Sequence, residues 1–254
     1  MKFTWLAWAT VLLFAVPSTV AAQTDVVVSA ASSLAGVLEE LTVRHERNGG
    51  DRVLLNLAAS NTLARQVGAG APIDLFISAD APQIEAVGRW LVPDSRVDLL
   101  SNKLALAVPS DRPVKLLSMA DLAGPDFGRI AIGDPEAVPV GVYARRYLQR
   151  AGLWEVLSGK VVPVGSARLA LAAVESGAVD AAIVYRTDLT VTTRAVEAYT
   201  VPFDEGPRIV YVAALVSGGP NTAGGARFLE FLQSLEAAMV FEAAGFVALR
   251  RAGQ

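Results

Sequence analysis

The chain has 254 residues, of which 53% are apolar, and a formal net charge of −3 with one histidine and no cysteine. That length suits one large domain or two lobes of ~100 residues each. The lack of cysteine excludes disulfides, thiol catalysis, cysteine metal sites and a lipoprotein anchor, and a mildly acidic balance without basic runs is a poor match to nucleic acid or an anionic membrane.

The first 22 residues read as a secretory signal. Lys2 supplies the positive start, Leu6 to Val16 the apolar run, and Pro17-Ser18-Thr19 breaks it. Val20-Ala21-Ala22 places small residues for cleavage after Ala22. Cleavage would remove Lys2 and no acid, taking the net charge from −3 to −4. No later stretch offers ~18 uninterrupted apolar residues, so a soluble mature protein in the periplasm is expected.

Val26-Val27-Val28 is a short β-branched run, the mark of a buried strand. From Ser33 the spacing changes: Leu34, Val37, Leu38 and Leu41 stand at i, i+3, i+4, i+7, so a helix is expected up to Asn48-Gly49-Gly50. Arg52 to Leu57 reads as a second strand, followed by a short helix from Ser60 to Gly68–Gly70. "IDLFISAD" at 73–80 is a third strand, with Asp80 as N-cap of a helix opening at Ala81-Pro82. This β-α-β-α-β series predicts a parallel sheet with crossover helices.

"LLSNKLALAVPSD" at 99–111 is a long extended segment. The alternation then resumes: strand at 129–134, helix from about Val140, strand at 160–164, helix over Ala167 to Gly177, strand at 181–185. Extended segments follow near 196–203 and 208–216, then two helical stretches at about 222–236 and 236–245. The chain therefore divides into two α/β halves. Pattern places the crossovers near 100–108 and 196–203, giving one lobe from 23–104 plus 201–254 and a second from 105–200.

One theme repeats. Ser32-Ser33, Ser60-Asn61, Pro139-Val140-Gly141 and Ser166-Ala167 each open a helix just past a strand's C-terminal end, the edge where open α/β sheets bind ligands. Each leaves unpaired N–H groups at the positive end of a helix dipole, which holds anions without a basic side chain. Ser, Thr and Asn at such places are also ordinary N-caps, and Val140 and Ala167 would act only through backbone N–H. Ser60 is expected to serve both as cap and as ligand donor. Tyr185 ends an apolar strand and either points its hydroxyl into a cleft or sits in the core.

Other candidates carry less. His45 lies on a polar helix end and reads as solvated, which leaves a Ser-His-Asp hydrolase little support. No metal-spaced His or carboxylate cluster is present, and "GAGAP" at 68–72 lacks the ending of a phosphate loop. Arg168 reads as a helix-surface arginine, with the alternative that it lends charge to an anion.

Four stretches, "AASSL" at 30–34, "AASNTLARQVGAGAPIDLFISAD" at 58–80, "GDPEAVPVGVYA" at 133–144 and "IVYRTD" at 183–188, together resemble the periplasmic molybdate-binding proteins that serve ABC transporters. The resemblance spans nearly all of the mature chain, and the second stretch is the most specific. It implies a type II-like periplasmic binding protein: two lobes, each a mixed, mostly parallel sheet flanked by helices, joined by two crossovers. It implies a non-enzymatic receptor, without cofactor or directly bound metal, that holds molybdate or tungstate in the cleft and delivers it to a membrane permease. A monomer without nucleic-acid partners is expected. Carried over by motif, the ligands are the hydroxyls of Ser33, Ser60 and Tyr185 and the backbone N–H groups of Val140 and Ala167. Asn61 departs from the serine of some members, and Val140 and Ala167 replace other small residues. A sulfate-type oxyanion receptor is the alternative, and a periplasmic hydrolase a more distant one.

Overall fold

Strand β1 (Val26–Ala31) is buried along nearly its whole length and is the centre of the first parallel unit. It pairs in parallel with β2 (Val53–Ala58) on one side and β3 (Leu75–Ser78) on the other. The connections are α1 (Ala35–Arg47) and α2 (Ser60–Gly68), the expected crossover helices. Helix α1 buries Val37, Leu38 and Leu41, the stripe its spacing predicts. A 3-10 turn over Ser32–Leu34 precedes it, so the helical segment opens tighter than an α-helix. Helix α3 (Ala81–Ala86) starts as expected: the Asp80 side chain accepts the Gln83 N–H, and Pro82 occupies the first turn.

The computed structural model describes residues 25–249, so the expected signal at 1–22 lies outside the described residues. The extended segment at 99–111 is two strands in different sheets. Strand β4 (Val97–Ser101) belongs to the first sheet and β5 (Leu104–Pro109) to the second, with Asn102-Lys103 between them. In the second sheet β6 (Ile130–Gly133) lies between β7 (Val161–Val164) and β8 (Ala181–Tyr185) and runs parallel to both. Helices α4 (Pro139–Arg150), α5 (Trp154–Leu157) and α6 (Ala167–Glu175) make the crossovers. The sequence pattern did not separate α5 from α4. Strand β5 runs antiparallel to both β8 and β9 (Ala195–Thr200).

The chain then returns to the first sheet through β10 (Tyr211–Leu215), antiparallel to β3 and β4. Helices α7 (Thr222–Leu232) and α8 (Leu235–Ala243) and a short β11 (Val247–Ala248) complete the described residues. The orders are β11-β4-β10-β3-β1-β2 and β7-β6-β8-β5-β9. These are two mixed sheets flanked by helices, with a parallel βαβαβ core in each. One hydrophobic cluster runs through both, from Leu34 and Leu38 to Ile132 and Tyr185. Among the described residues no helix is long and apolar enough to cross a membrane.

His45 departs from expectation. It is 6% exposed, and its ring packs 5.1 Å from Phe228 and 5.2 Å from Phe231. The turn after α1 folds back over it: a Cβ on Gly50 would lie 2.4 Å from the imidazole. The local sequence is polar, but α7 supplies the apolar cover from 180 residues further on. Burial pushes the His45 pKa below its usual value; Asp51 and Glu46 pull it up, and Arg227 pushes it down. The unfolded chain therefore binds the proton more readily than the folded one. Stability is full above about pH 6.5 and declines as pH falls below it. Urea midpoints measured from pH 7.5 to 5 should show this decline, and His45→Gln should flatten it. Parallel curves for the two proteins would show that the proton goes elsewhere.

Candidate functional site

The three parallel strands of each sheet end at one place. Past β1, β2 and β3 come Ser32-Ser33, Ala59-Ser60 and Ala79; past β6 and β7 come Val138-Pro139-Val140 and Ser166-Ala167, and β8 ends at Tyr185. All of these line a single cavity of about 20 Å³ between the sheets. A water needs ~10–15 Å³ on this measure, so the cavity suits one compact group. All five residues singled out from the sequence, Ser33, Ser60, Val140, Ala167 and Tyr185, are in its wall, and no lining side chain is charged.

The polarity of the wall follows from its hydrogen bonds. Ser60 does not cap its own helix. Helix α2 begins at Ser60, and the residue ahead, Ala59, makes no side-chain cap. Instead the Ser60 hydroxyl accepts the Ala79 N–H at 3.0 Å, which leaves its proton free to donate. Ser166 is the true cap of α6, accepting the Leu169 N–H at 3.1 Å. The N–H groups that open a helix lack an acceptor one turn back; in α2, α4 and α6 those opening positions include Ser60, Val140 and Ala167. The Tyr185 hydroxyl is buried without a partner among the described residues. Burial pushes this phenol well above its usual pKa, so it stays a neutral O–H donor.

Close approach of two glycines sets the position of α4. A Cβ on Gly141 would lie 1.9 Å from the Gly133 carbonyl oxygen, and a Cβ on Gly133 would lie 2.7 Å from Val140 Cγ1. Only hydrogen fits at both places, which brings the α4 N-terminus against the end of β6. The Val140 methyl fills the space over Gly133 and leaves its backbone at the cavity.

Arg168 is not a free surface arginine. Its Nε lies 3.4 Å from the Ser32 carbonyl and 3.6 Å from Asp188 Oδ1. It thus joins α6 of the second sheet unit to the turn after β1 in the first. Asp188 is fully buried; burial raises its pKa to about 7 against the opposing pull of Arg168 and of the Tyr185 N–H. Asp188 follows Tyr185 closely and holds the end of β8 by accepting that N–H at 3.0 Å.

Sequence reading missed a second layer. Tyr211 meets the Ser33 hydroxyl at 2.9 Å, and Asn102 reaches both Tyr211 and Thr187. The available signals were weak: Asn102 interrupts an otherwise apolar extended run, and Tyr211 is the polar-tipped residue of "RIVYVAALV". Their convergence on Ser33 spans more than 100 residues of chain and has no local signature. Among the described residues no group of His, Cys, Asp and Glu is arranged to hold a metal ion.

The arrangement suits a small anion: a wall built from six chain segments, no charged side chain in it, and a small volume. Comparison with known proteins agrees. The family model described as bacterial extracellular solute-binding protein matches residues 26–247. The molybdate-binding protein ModA of Escherichia coli (strain K12) is 35% identical over 242 residues, covering 92% of this chain and 94% of the relative. ModA of Haemophilus influenzae is 31% identical, with 90% and 92% covered. Among solved structures, the periplasmic molybdate-binding protein of Azotobacter vinelandii superposes with a TM-score of 0.80 at 24% identity, covering 89% of this chain and all of that one. With sequence, fold and cavity in agreement, this chain belongs to the bacterial extracellular solute-binding proteins.

Proposed function

We propose that the protein is the periplasmic receptor of a molybdate transporter, holding the oxyanion between its two lobes and passing it to a membrane permease. The carrying observation is the small uncharged cavity into which both sheets direct donors, with the Tyr185 hydroxyl unpartnered at its wall. The proposed ligands are the hydroxyls of Ser33, Ser60 and Tyr185 and the N–H groups of Val140 and Ala167. The proposed lobes are 23–104 plus 201–254 and 105–200; the change of sheet between Ser101 and Leu104, and again between Thr200 and Tyr211, supports them. The ModA relatives support the ligand and the transport role, and a monomer acting without a cofactor or catalysis completes the reading.

Molybdate is a tetrahedral dianion whose oxygens carry no proton near neutral pH, so it requires donors only. Hydrogen phosphate carries a proton that needs an acceptor, and leaving that proton unpaired costs about 1–3 kcal/mol. Sulfate is unprotonated too, so cavity size must separate it from molybdate. Tungstate matches molybdate in charge and nearly in size. Titration calorimetry of the ligand-stripped protein should give molybdate and tungstate affinities within about tenfold of each other, with phosphate weaker than either by about tenfold or more. Tight sulfate binding would instead make this a sulfate receptor, and silence to all four anions would sink the proposal.

A further inference from the structure

The receptor reading requires hydroxyls that donate, yet a serine hydroxyl accepts as readily as it donates. Something must set the direction of the Ser33 proton. Behind Ser33, Tyr211 is fully buried and its oxygen lies 2.9 Å from Ser33 Oγ. Among the described residues the other polar atom that meets the Tyr211 oxygen is Asn102 Nδ2, at 3.3 Å. An amide nitrogen only donates, so the Tyr211 oxygen accepts there. The Tyr211 proton then has one acceptor within reach, Ser33 Oγ; leaving it unpaired in the core would cost a buried hydrogen bond.

The amide itself cannot flip. Asn102 Oδ1 accepts the Lys103 N–H at 2.8 Å, and the second Nδ2 proton goes to Thr187 Oγ1 at 2.8 Å. Asn102 is 2% exposed and sits where the chain crosses from β4 to β5. The chain of donation therefore runs from the Lys103 N–H to Asn102, from Asn102 to Tyr211, from Tyr211 to Ser33, and from Ser33 into the cavity. Ser60 is set in the same sense by the Ala79 N–H.

We propose that Asn102 and Tyr211 are specificity-determining positioning residues, whose one-way hydrogen-bond chain makes Ser33 a donor toward the cavity and so excludes oxyanions that carry a proton. This rests on the receptor reading above and adds its selectivity mechanism. Neither residue touches the ligand. Their effect is on which anion is preferred, more than on how tightly anions bind.

The test is competition of inorganic phosphate against molybdate, by calorimetry, for the whole mature protein and two variants. In Asn102→Asp the carboxylate accepts from Tyr211. Tyr211 then accepts from Ser33, and Ser33 turns lone pairs to the cavity. The preference for molybdate over phosphate should fall about tenfold or more. The added charge repels both dianions alike and cancels in the ratio. Tyr211→Phe removes one oxygen, preserves the ring's packing and frees Ser33 to rotate; a drop of about threefold in the ratio is expected. A ratio unchanged in both variants, or equal loss of both anions, overturns the chain and leaves Asn102 and Tyr211 as packing residues. Failure of the unaltered protein to bind molybdate overturns the receptor reading, and the chain falls with it. If Asn102→Asp does not fold, Tyr211→Phe decides by the same ratio.

Discussion

Replacing Gly141 with alanine is expected to lower molybdate affinity about 100-fold or more and to destabilise the protein by about 3 kcal/mol. Helix propensity alone argues the other way, because alanine in place of glycine stabilises a helix by about 1 kcal/mol. The clash decides the sign. The new Cβ would lie 1.9 Å from the Gly133 carbonyl oxygen, 2.4 Å from its carbonyl carbon and 2.6 Å from the Asp134 carbonyl oxygen. All three are backbone atoms in or beside β6 and cannot swing aside as a flexible side chain would. The α4 N-terminus must retreat by roughly an ångström, carrying the Val140 N–H away from the cavity; misplacing a positioned group by that distance loses on the order of 100-fold. Gly88→Ala is the control, since nothing lies within 4 Å of a Cβ there. Calorimetry and urea unfolding measure the two effects. Near-normal binding by Gly141→Ala would show that α4 does not contribute its N-terminus to the anion.

Tyr185→Phe is expected to separate binding from stability. Losing one hydrogen bond to a dianion corresponds to about 1.5–3 kcal/mol, or about 10–100-fold in affinity. The empty protein should unfold at the same midpoint or a higher one. Tyr185 is 2% exposed and its oxygen has no partner among the described residues, so the substitution removes a buried polar atom that the fold does not use. The ring still packs 5.7 Å from Tyr211 with its shape unchanged. A fall in the midpoint of the ligand-free variant, or unaltered molybdate affinity, would remove the hydroxyl from the list of ligands.

These effects arise because the site departs from what packing alone would choose. Two glycines in contact and an unpaired phenol each weaken an isolated fold. Arg168, tied to both Ser32 and Asp188, holds the two halves of the site in register from just outside it. The proposed one-way chain through Asn102 and Tyr211 would set the sense of the Ser33 hydroxyl in the cavity wall.

Much of this was legible in the linear order of residues. Short apolar and β-branched runs located β1, β3, β6 and β8, because buried parallel strands need little more than contiguous apolar residues. The stripe of Leu34, Val37, Leu38 and Leu41 located α1, because one helical face must be covered. Small and hydroxylated residues after strand ends marked four of the five candidate ligands, because a turn that presents bare N–H groups leaves a local composition, and Tyr185 was marked by its place at the end of an apolar strand. What failed locally was whatever depends on distant cover. His45 looked solvated until α7 covered it, and Ser60 looked like a cap although its acceptor role serves Ala79, on another strand's end.

The sequence by itself determined the alternation of elements, the division into two α/β halves and the residue types offered to a small anion, since each of these is written in short-range spacing. Only the tertiary structure decided that six separate chain segments close on one cavity, that Gly133 and Gly141 touch, and that Asn102, Tyr211 and Ser33 meet in one hydrogen-bonded chain. Those properties join residues 8 to more than 170 positions apart, and no local pattern encodes a distance, or the direction of a proton, across such a separation.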